Sequence, residues 1–323
     1  MSEVAHSPVV AVTRELPGVI DVPGAEVRVL GDALPDRADV LGFVRGASAV
    51  VSMFTDRVDA EFLDAAGPGL KGIANYAVGH DNIDLDECRR RGVPVSLTPD
   101  TVTEGTSNMA WLLIMACARR LIEADRYARS PEYPARGGLG MGELLGKDLR
   151  GKNLLIVGAG RIGHALAMKS RPWEMRAGYV ARSRKPGFES EPLCARRFEL
   201  LEGLSWADVV SVHLPLTDST RGLLGREAFG AMKPGAIVVN TGRGGVLSSG
   251  ALVEALESGR VWGAGLDVHE HEPEIHPGLL GRSDVVLTPH IGSAEVRWRE
   301  AMTSMVSANV RAMLAGEPVP NPA

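Results

Sequence analysis

The sequence predicts an α/β protein built from two doubly wound parallel sheets. Two observations predict it: short apolar segments alternate with helical segments over the first part of the chain, and a second such series follows a Pro- and Gly-rich stretch at 130–142. This alternation is typical of parallel sheets covered by helices. A chain of 323 residues, 45% of them hydrophobic, is long enough for two domains.

The first series contains short apolar segments bounded by turn residues. Helical patterns lie between them, for example at 59–65 and 84–91. Arg91-Gly92-Val93 is typical of a helix end, a glycine cap and the start of the next strand. We therefore expect strands at 9–12, 27–30, 49–53, 72–74 and 93–97.

A long helical pattern at 104–120 and a loop or arm at 130–142 lead into the second series. Several of its strand candidates are continuous apolar runs, as expected when both faces of a sheet are covered. We expect strands at 154–157, 178–181, 209–212, 237–240, 264–267 and 285–288.

The last helical pattern, at 295–314, does not extend the second series, so we expect it to return to the first domain. Residues 1–103 and 293–323 would then form one discontinuous domain, and residues 104–292 the other. A cleft between the two domains would be the ligand site.

Composition excludes several classes of protein. The net charge is −5 and the pI is near 5.9, so there is no general basic field for nucleic acid. The apolar stretch 109–118 has about half the length of a membrane span, and the N-terminus lacks the features of a signal peptide. Cys88, Cys117 and Cys194 match no metal or redox spacing. We expect a cytoplasmic protein that binds neither nucleic acid nor membrane.

The most informative motif is Gly158-x-Gly160-x-x-Gly163, which lies between an apolar strand candidate and a helical pattern. In a dinucleotide pyrophosphate site, such glycines permit a tight turn, a close backbone approach to phosphate and close helix–strand packing. The free N–H groups at the helix start bind the anion. The alternative is a glycine-rich turn in another kind of α/β protein.

The turn after the second strand of this series favours NADP(H) over NAD(H). Dinucleotide sites usually place an acid here to bind the ribose 2′-hydroxyl, but this chain has Arg182, Ser183 and Arg184. Arginine forks match a 2′-phosphate, which an acid would repel. The alternative is a solvated basic turn that accepts either coenzyme.

Three later strand ends carry candidate catalytic groups. Arg243 follows one strand and can hold a carboxylate in bidentate fashion. The next two strands are followed by the segment 265–273, which contains Asp267, Glu270 and Glu272, and by the segment 287–294, which contains His290. A carboxylate beside a histidine favours an imidazolium that can protonate a carbonyl. Arg243 and His290 could each be structural instead. The spacing of His269, His271 and His276 suits an exposed loop better than a metal site.

Met53 and Phe54 follow a strand of the first series. We expect them to line the substrate pocket, with ordinary core packing as the alternative.

Taken together, the motifs GAGRIG, SVHLPLT, MKPGAIVVNTGRGG, GAGLDVHEHEP and VVLTPHIGSA resemble those of the D-isomer-specific 2-hydroxyacid dehydrogenases. Upstream, NYAVGHDNIDLDECRRRGVPVSLTPD resembles the glyoxylate/hydroxypyruvate reductase branch. The resemblance implies a Rossmann domain, a smaller flavodoxin-like substrate domain, and NAD(P)H-dependent reduction of a small 2-oxo acid to the D-2-hydroxy acid.

The resemblance also implies roles for individual residues. Arg243 would bind the substrate carboxylate, His290 would donate the proton, and Glu272 would orient His290. The amides of Val78 and Gly79 would hold the carboxylate from the other domain. The implied coenzyme contacts are Thr106, Gly158, Gly160, Arg161, Ile162, Gly163, His213, Pro215, Thr241, Gly242, Asp267 and Gly292.

The resemblance further implies a homodimer in which residues near 104–145 pack on the partner. The sequence departs from the family pattern in several places: for example, Gly242 replaces Ala or Ser, which should loosen the turn before Arg243, and His269 replaces Phe. A turn or helix cap is the alternative role for Asp267.

Other functions remain open at this stage. A phosphonate or phosphite dehydrogenase, or an enzyme for a bulkier 2-oxo acid, could use the same three residues. An NAD(H)-sensing, corepressor-like binding protein is a further alternative, although the chain lacks long disordered extensions.

Overall fold

The computed structural model describes residues 7–31 and 33–323 and divides the chain into two compact units. One unit runs to Val102 and resumes at Ser293, and the other is Thr103–Gly292. In the described residues, the strands are β1 Val9–Val12, β2 Glu26–Val29, β3 Ala49–Ser52, β4 Ile73–Asn75, β5 Val95–Ser96, β6 Asn153–Val157, β7 Arg176–Val180, β8 Arg196–Arg197, β9 Val209–Val212, β10 Ala236–Asn240, β11 Val261–Leu266 and β12 Val285–Leu287.

The α-helices follow the same chain-order numbering. They are α1 Arg37–Phe43, α2 Ala60–Ala66, α3 Leu85–Arg90, α4 Thr103–Ala118, α5 Leu121–Ala128, α6 Glu132–Arg136, α7 Arg161–Ser170, α8 Pro186–Glu189, α9 Leu200–Trp206, α10 Arg226–Ala231, α11 Ser249–Glu257 and α12 Val296–Ala315. Short 3-10 helices lie at Arg171–Trp173, Gly244–Val246 and Pro277–Leu279. None of the helices in the described ranges is both long and apolar enough to cross a membrane.

The first unit is a five-stranded parallel sheet in the order β2-β1-β3-β4-β5. This is the flavodoxin-like order, with its switch point between β1 and β3. An apolar cluster including Phe62 and Ile73 forms one part of the core. A second cluster joins Val10 and Val51 to Met302 and Val306 of α12. Helix α12 therefore completes the core of this unit.

The second unit is a seven-stranded parallel sheet in the order β12-β11-β10-β9-β6-β7-β8. All residues of β6, β9 and β10 are buried, as their continuous apolar sequences predict. The strand order reverses between β6 and β9, where doubly wound sheets bind their ligands. The predicted fold class, two doubly wound parallel sheets, is confirmed.

The prediction of a loop at 130–142 was wrong in part, because α6 lies inside this range and α5 precedes it. The long helix α4 also ends earlier than predicted, since Arg120 adopts a left-handed conformation with φ 51° and starts a new helix. Its guanidinium pairs with Glu123 of α5, 2.6 Å away. Pro134 fits in α6 because it stands in the first turn, where no backbone donor is lost.

Candidate active site

The three glycines of the turn between β6 and α7 differ in the space beside them. A Cβ atom at Gly158, φ 104°, would lie 2.8 Å from the carbonyl carbon and oxygen of His213, and one at Gly163 would lie 2.5 Å from Cγ2 of Ile156. Both positions therefore exclude a side chain. Gly160 instead faces open space. It is the N-cap residue of α7, and among the described residues no side chain caps this helix start. These residues fit the pyrophosphate of a dinucleotide.

His213 follows β9, and its ring contacts a residue of β9 and a residue that follows β10. Its Nε2 lies 2.9 Å from Oγ of Ser211, and its Nδ1 lies 3.3 Å from Oγ1 of Thr241. Desolvation lowers the pKa of His213 to about 3 although the residue is partly exposed, so the ring is neutral at physiological pH. Pro215, two residues on, is exposed.

The basic turn after β7 is held in place by neighbouring charges. Arg197 of β8 donates to the main-chain oxygens of Ala181 and Arg182, at 3.0 and 3.3 Å. The Arg184 guanidinium pairs with Glu189, with a closest approach of 2.7 Å. Arg182, Ser183 and Arg184 are all exposed. The basic residues predicted from the sequence therefore lie at the surface, with an acid beside one of them.

Arg243 follows β10 on a turn that the Asn240 side chain fixes at both ends. Oδ1 of Asn240 accepts from the amide of Gly242 at 3.0 Å, and Nδ2 donates to the Arg243 carbonyl at 3.0 Å. A Cβ atom on Gly242 would lie 2.9 Å from the Leu214 oxygen. The expectation that Gly242 loosens this turn was therefore wrong, because the glycine lets the turn pack closely against the main chain of Leu214.

Glu272 and His290 form a hydrogen-bonded pair. His290 Nδ1 lies 2.8 Å from Oε2 of Glu272, and Oε1 of Glu272 accepts from the amide of His269 at 2.9 Å. Partial burial alone would raise the pKa of the Glu272 carboxyl, but the hydrogen bond and charge of His290, with the His269 amide, lower it below its usual value. Glu272 is therefore ionised at neutral pH, and Nδ1 of His290 carries the shared proton.

Asp267 holds the segment that carries His290. Its Oδ1 accepts from Thr288 Oγ1 at 2.6 Å and from the Ile291 amide at 2.9 Å. Its Oδ2 accepts from the Gly292 amide at 2.7 Å, and the residue is 1% exposed. These bonds are those of a turn cap. Because Oδ2 accepts one hydrogen bond here, it retains capacity for another donor.

Thr106 and Gly292 lie side by side in the second unit. A Cβ atom at Gly292 would lie 3.4 Å from Thr106 Oγ1 and 2.9 Å from Oδ2 of Asp267. The glycine therefore lets α4 approach the segment that follows His290. Thr106 itself is buried.

In the first unit, a buried carboxylate anchors the loop after β3. Oδ2 of Asp56 accepts from the Met53 amide at 2.7 Å and from Thr13 Oγ1 at 2.5 Å. Nδ2 of Asn82 donates to the Met53 and Asp56 carbonyls at 3.1 and 2.7 Å. Burial raises the pKa of Asp56 against the opposing effect of these hydrogen bonds and of nearby arginines. Met53 is 6% exposed and belongs to the core of this unit, whereas Phe54 is partly exposed.

Val78 and Gly79 lie on the turn after β4, and both are partly exposed. The Asn75 side chain donates to the Gly79 carbonyl at 2.9 Å and so fixes the turn. Within the described residues, neither amide donates a hydrogen bond. Two N–H groups on a fixed turn are suitable donors for an anion.

Comparison with known proteins places this geometry in a family. The model for "D-isomer specific 2-hydroxyacid dehydrogenase, NAD binding domain" matches residues 111–292. A glyoxylate reductase from Thermococcus onnurineus is 46% identical over 285 residues, which are 88% of this chain and 85% of that protein. The chain belongs to the D-isomer-specific 2-hydroxyacid dehydrogenases.

Solved structures support this assignment. A protein from Thermus thermophilus is 42% identical, has a TM-score of 0.91, and is matched over 98% of this chain and 99% of its own. An NADPH-dependent glyoxylate/hydroxypyruvate reductase from Sinorhizobium meliloti, solved with NADP and malonate, is 29% identical with a TM-score of 0.85. It is matched over 98% of this chain and 97% of its own.

The dehydrogenase has site residues that the sequence interpretation missed. Glu189 lies beside the basic turn, and Asp56 and Asn82 hold the loop after β3. An acid close behind a strand end was a usable signal for Asp56, whereas nothing in the spacing indicated that Glu189 would fold back onto Arg184. Among the described residues, no group of three or more His, Cys, Asp or Glu could hold a metal ion.

Proposed function

We propose that glyoxylate and hydroxypyruvate are the preferred substrates of this D-2-hydroxyacid dehydrogenase, which reduces a small 2-oxo acid with a nicotinamide coenzyme. The Glu272–His290 pair carries the proposed reduction, and the choice of substrates is supported by the similarity to glyoxylate reductases and to a glyoxylate/hydroxypyruvate reductase. Arg243, Glu272 and His290 follow β10, β11 and β12, which are adjacent and parallel. All three residues thus follow the carboxyl edge of one sheet, where ligands bind.

Each of the three has a distinct chemical task. The Arg243 guanidinium binds the substrate carboxylate through two parallel hydrogen bonds and so fixes the position of the neighbouring carbonyl. His290 donates a proton to the carbonyl oxygen through Nε2, because Nδ1 is bonded to Glu272. Glu272 fixes the ring and stabilises its protonated form. The reduced coenzyme, when bound, supplies the hydride.

In the first unit, the same proposal assigns the amides of Val78 and Gly79 to the substrate carboxylate. Their N–H groups make no hydrogen bond among the described residues, which supports this role. Phe54 is partly exposed beside the buried Met53, and we assign this pair to the apolar wall of the substrate site.

Residues of the second unit hold the coenzyme. The glycine turn fits its pyrophosphate, and Arg161 and Ile162 form the first turn of α7. The remaining proposed contacts are Thr106, His213, Pro215, Thr241, Gly242, Asp267 and Gly292.

We further propose that the enzyme prefers NADP(H) and also accepts NAD(H). Exposed Arg182, Ser183 and Arg184 offer two guanidinium groups and a hydroxyl to a 2′-phosphate. Arg182→Ala should weaken NADPH use selectively. An unchanged NADPH/NADH ratio of kcat/KM in Arg182→Ala and Arg184→Ala would refute this preference.

A homodimer through residues near 104–145 completes the proposal. Leu112, Met141 and Leu145 in this segment are 54%, 95% and 60% exposed, and burial of these apolar side chains against a partner would favour association. Light scattering should give twice the chain mass of 34.3 kDa. Leu112→Asp with Leu145→Asp should give a monomer.

A substrate panel tests the central proposal. Purified enzyme would be assayed with glyoxylate, hydroxypyruvate, pyruvate and phenylpyruvate in the presence of NADH or NADPH. Phosphite, which is oxidised, would be assayed with NAD⁺ or NADP⁺. Glyoxylate and hydroxypyruvate should have the highest kcat/KM. A preference for phenylpyruvate would indicate a bulkier 2-oxo acid as the substrate, and turnover of phosphite alone would refute the proposal.

A further inference from the structure

The basic turn after β7 contains an internal competitor for a phosphate group. Nε of Arg184 lies 3.1 Å from Oε1 of Glu189 and Nη2 lies 2.7 Å from Oε2, in the bidentate geometry that guanidinium also uses for phosphate. The Nε–Nη2 edge of Arg184 can bind one partner or the other in this way, but not both at once.

A buried tyrosine holds the Glu189 side chain in place, whereas the Arg184 side chain is largely exposed. The hydroxyl of Tyr179 donates to Oε1 of Glu189 at 2.6 Å and accepts from the amide of Lys185 at 2.9 Å. Tyr179 is fully buried and packs against Phe188, with ring centroids 5.1 Å apart. The Arg184 side chain is 79% exposed and that of Glu189 only 21%. Arg184 is therefore the partner that can move.

Glu189 keeps its charge throughout the physiological range. Hydrogen bonds from Arg184 and then from Tyr179 lower the pKa of its carboxyl, against a small opposing effect of burial. The Glu189 carboxylate therefore competes for Arg184 at every physiological pH.

Arg182 differs from Arg184 in this respect. Its carbonyl is held by Arg197, but its side chain is exposed and makes no hydrogen bond or ion pair among the described residues. Arg182 is thus available to a 2′-phosphate, whereas Arg184 is already paired with Glu189.

We infer that Glu189 sets coenzyme specificity by holding Arg184 away from the 2′-phosphate of NADPH. Arg182 then binds this phosphate freely, whereas Arg184 can bind it only in competition with Glu189. This inference rests on the proposed binding of NADP(H) at the turn. Glu189 thereby limits the preference for NADPH and leaves the affinity for NADH unchanged, since NADH has no group that requires Arg184.

Calorimetric titration with adenosine 2′,5′-bisphosphate and with adenosine 5′-monophosphate tests this inference without turnover. Glu189→Gln should bind the bisphosphate about two- to fivefold more tightly, as expected when an exposed ion pair no longer competes. The monophosphate affinity should not change. The NADPH/NADH ratio of kcat/KM should rise by the same factor.

The effect must pass through Arg184. In an Arg184→Ala background, Glu189→Gln should change nothing. Glu202→Gln is the matched control, because it removes the same charge from an acid that pairs with Arg196 instead. Glu189→Ala, which also removes the acceptor for the Tyr179 hydroxyl, is a second variant with the same expected direction, and its urea midpoint reports whether that contact matters for folding.

The possible failures are distinct. If Glu189→Gln leaves the bisphosphate affinity unchanged, or tightens both ligands equally, while Arg182→Ala weakens the bisphosphate, the inference is wrong and the proposed coenzyme preference stands. If neither Arg182→Ala nor Arg184→Ala weakens the bisphosphate, the proposed preference is itself wrong and the inference falls with it.

Discussion

Nδ1 of His290 lies 2.8 Å from Oε2 of Glu272, and this contact assigns different tasks to the two ring nitrogens. An ionised carboxylate can only accept hydrogen bonds, so Nδ1 carries a proton and Nε2 remains for proton exchange with a substrate. The backbone at His290 is left-handed, with φ 57°. A bond of 2.8 Å from its amide to the Asp267 carbonyl stabilises that conformation.

His290→Gln should remove proton donation and leave the coenzyme site intact. We expect kcat to fall by about 10²- to 10⁴-fold, the usual contribution of a general acid. Coenzyme affinity, measured by quenching of protein fluorescence, should stay within about twofold, because no charge–charge contact with the coenzyme is removed.

His271→Gln is the matched control for this substitution, since His271 is exposed on the loop that carries Glu272. It should leave kcat unchanged. An unchanged kcat in His290→Gln would remove His290 from the proposed role.

Glu272→Gln should change how stability depends on pH. The pKa of Glu272 is lower in the folded protein than its usual value of 4.5. Its charge therefore stabilises the folded state above about pH 4.5, and this contribution is lost as pH falls through the folded pKa. Urea unfolding should show wild type more stable than Glu272→Gln at pH 7, with the difference shrinking towards pH 3. A difference that is constant with pH would contradict this account.

Most of the strands and the glycine turn could be predicted because local sequence determines them, whereas β8, which consists of two arginines, was missed. Strand β9 was predicted with the limits the structure gives, since its four residues are apolar or small and fully buried. Helices α5 and α6 were not predicted, because they are only eight and five residues long and are stabilised by contacts such as the Tyr127–Tyr133 ring pair, 5.6 Å apart.

The details of the candidate site depended on tertiary contacts. Asp267 was expected at the end of a strand, but its three hydrogen bonds to residues 288–292 become visible only when β11 and β12 pair. The position of Gly242 against Leu214 likewise depends on the pairing of β9 with β10. Sequence spacing gives the type of residue at a strand end, whereas the neighbouring strand decides what that residue contacts.

Two glycines of the turn after β6 should separate folding from coenzyme binding. Gly163→Ala places a methyl group 2.5 Å from Ile156 Cγ2, so unfolding free energy should fall by about 1–3 kcal/mol. Gly160→Ala meets no atom within 4 Å and should leave the urea midpoint unchanged.

Gly160→Ala should nevertheless weaken NADPH and NADH binding by roughly 10- to 100-fold, equivalent to losing one charge-assisted hydrogen bond. Fluorescence titration of the folded variant measures this loss. If Gly160→Ala binds both coenzymes as wild type does, the pyrophosphate does not lie at this turn.

The three cysteines should differ in reactivity because only a thiolate attacks a disulfide reagent. Burial raises the pKa of Cys88 to about 11 and that of Cys117 to about 12, whereas Cys194 is exposed. At pH 8, dithionitrobenzoate should therefore label one thiol of the native protein rapidly and all three in urea. Cys194→Gly suits the left-handed backbone there, φ 44°, and should abolish the rapid phase. Rapid labelling of a second native thiol would show that Cys88 or Cys117 is accessible, contrary to the packing of both units.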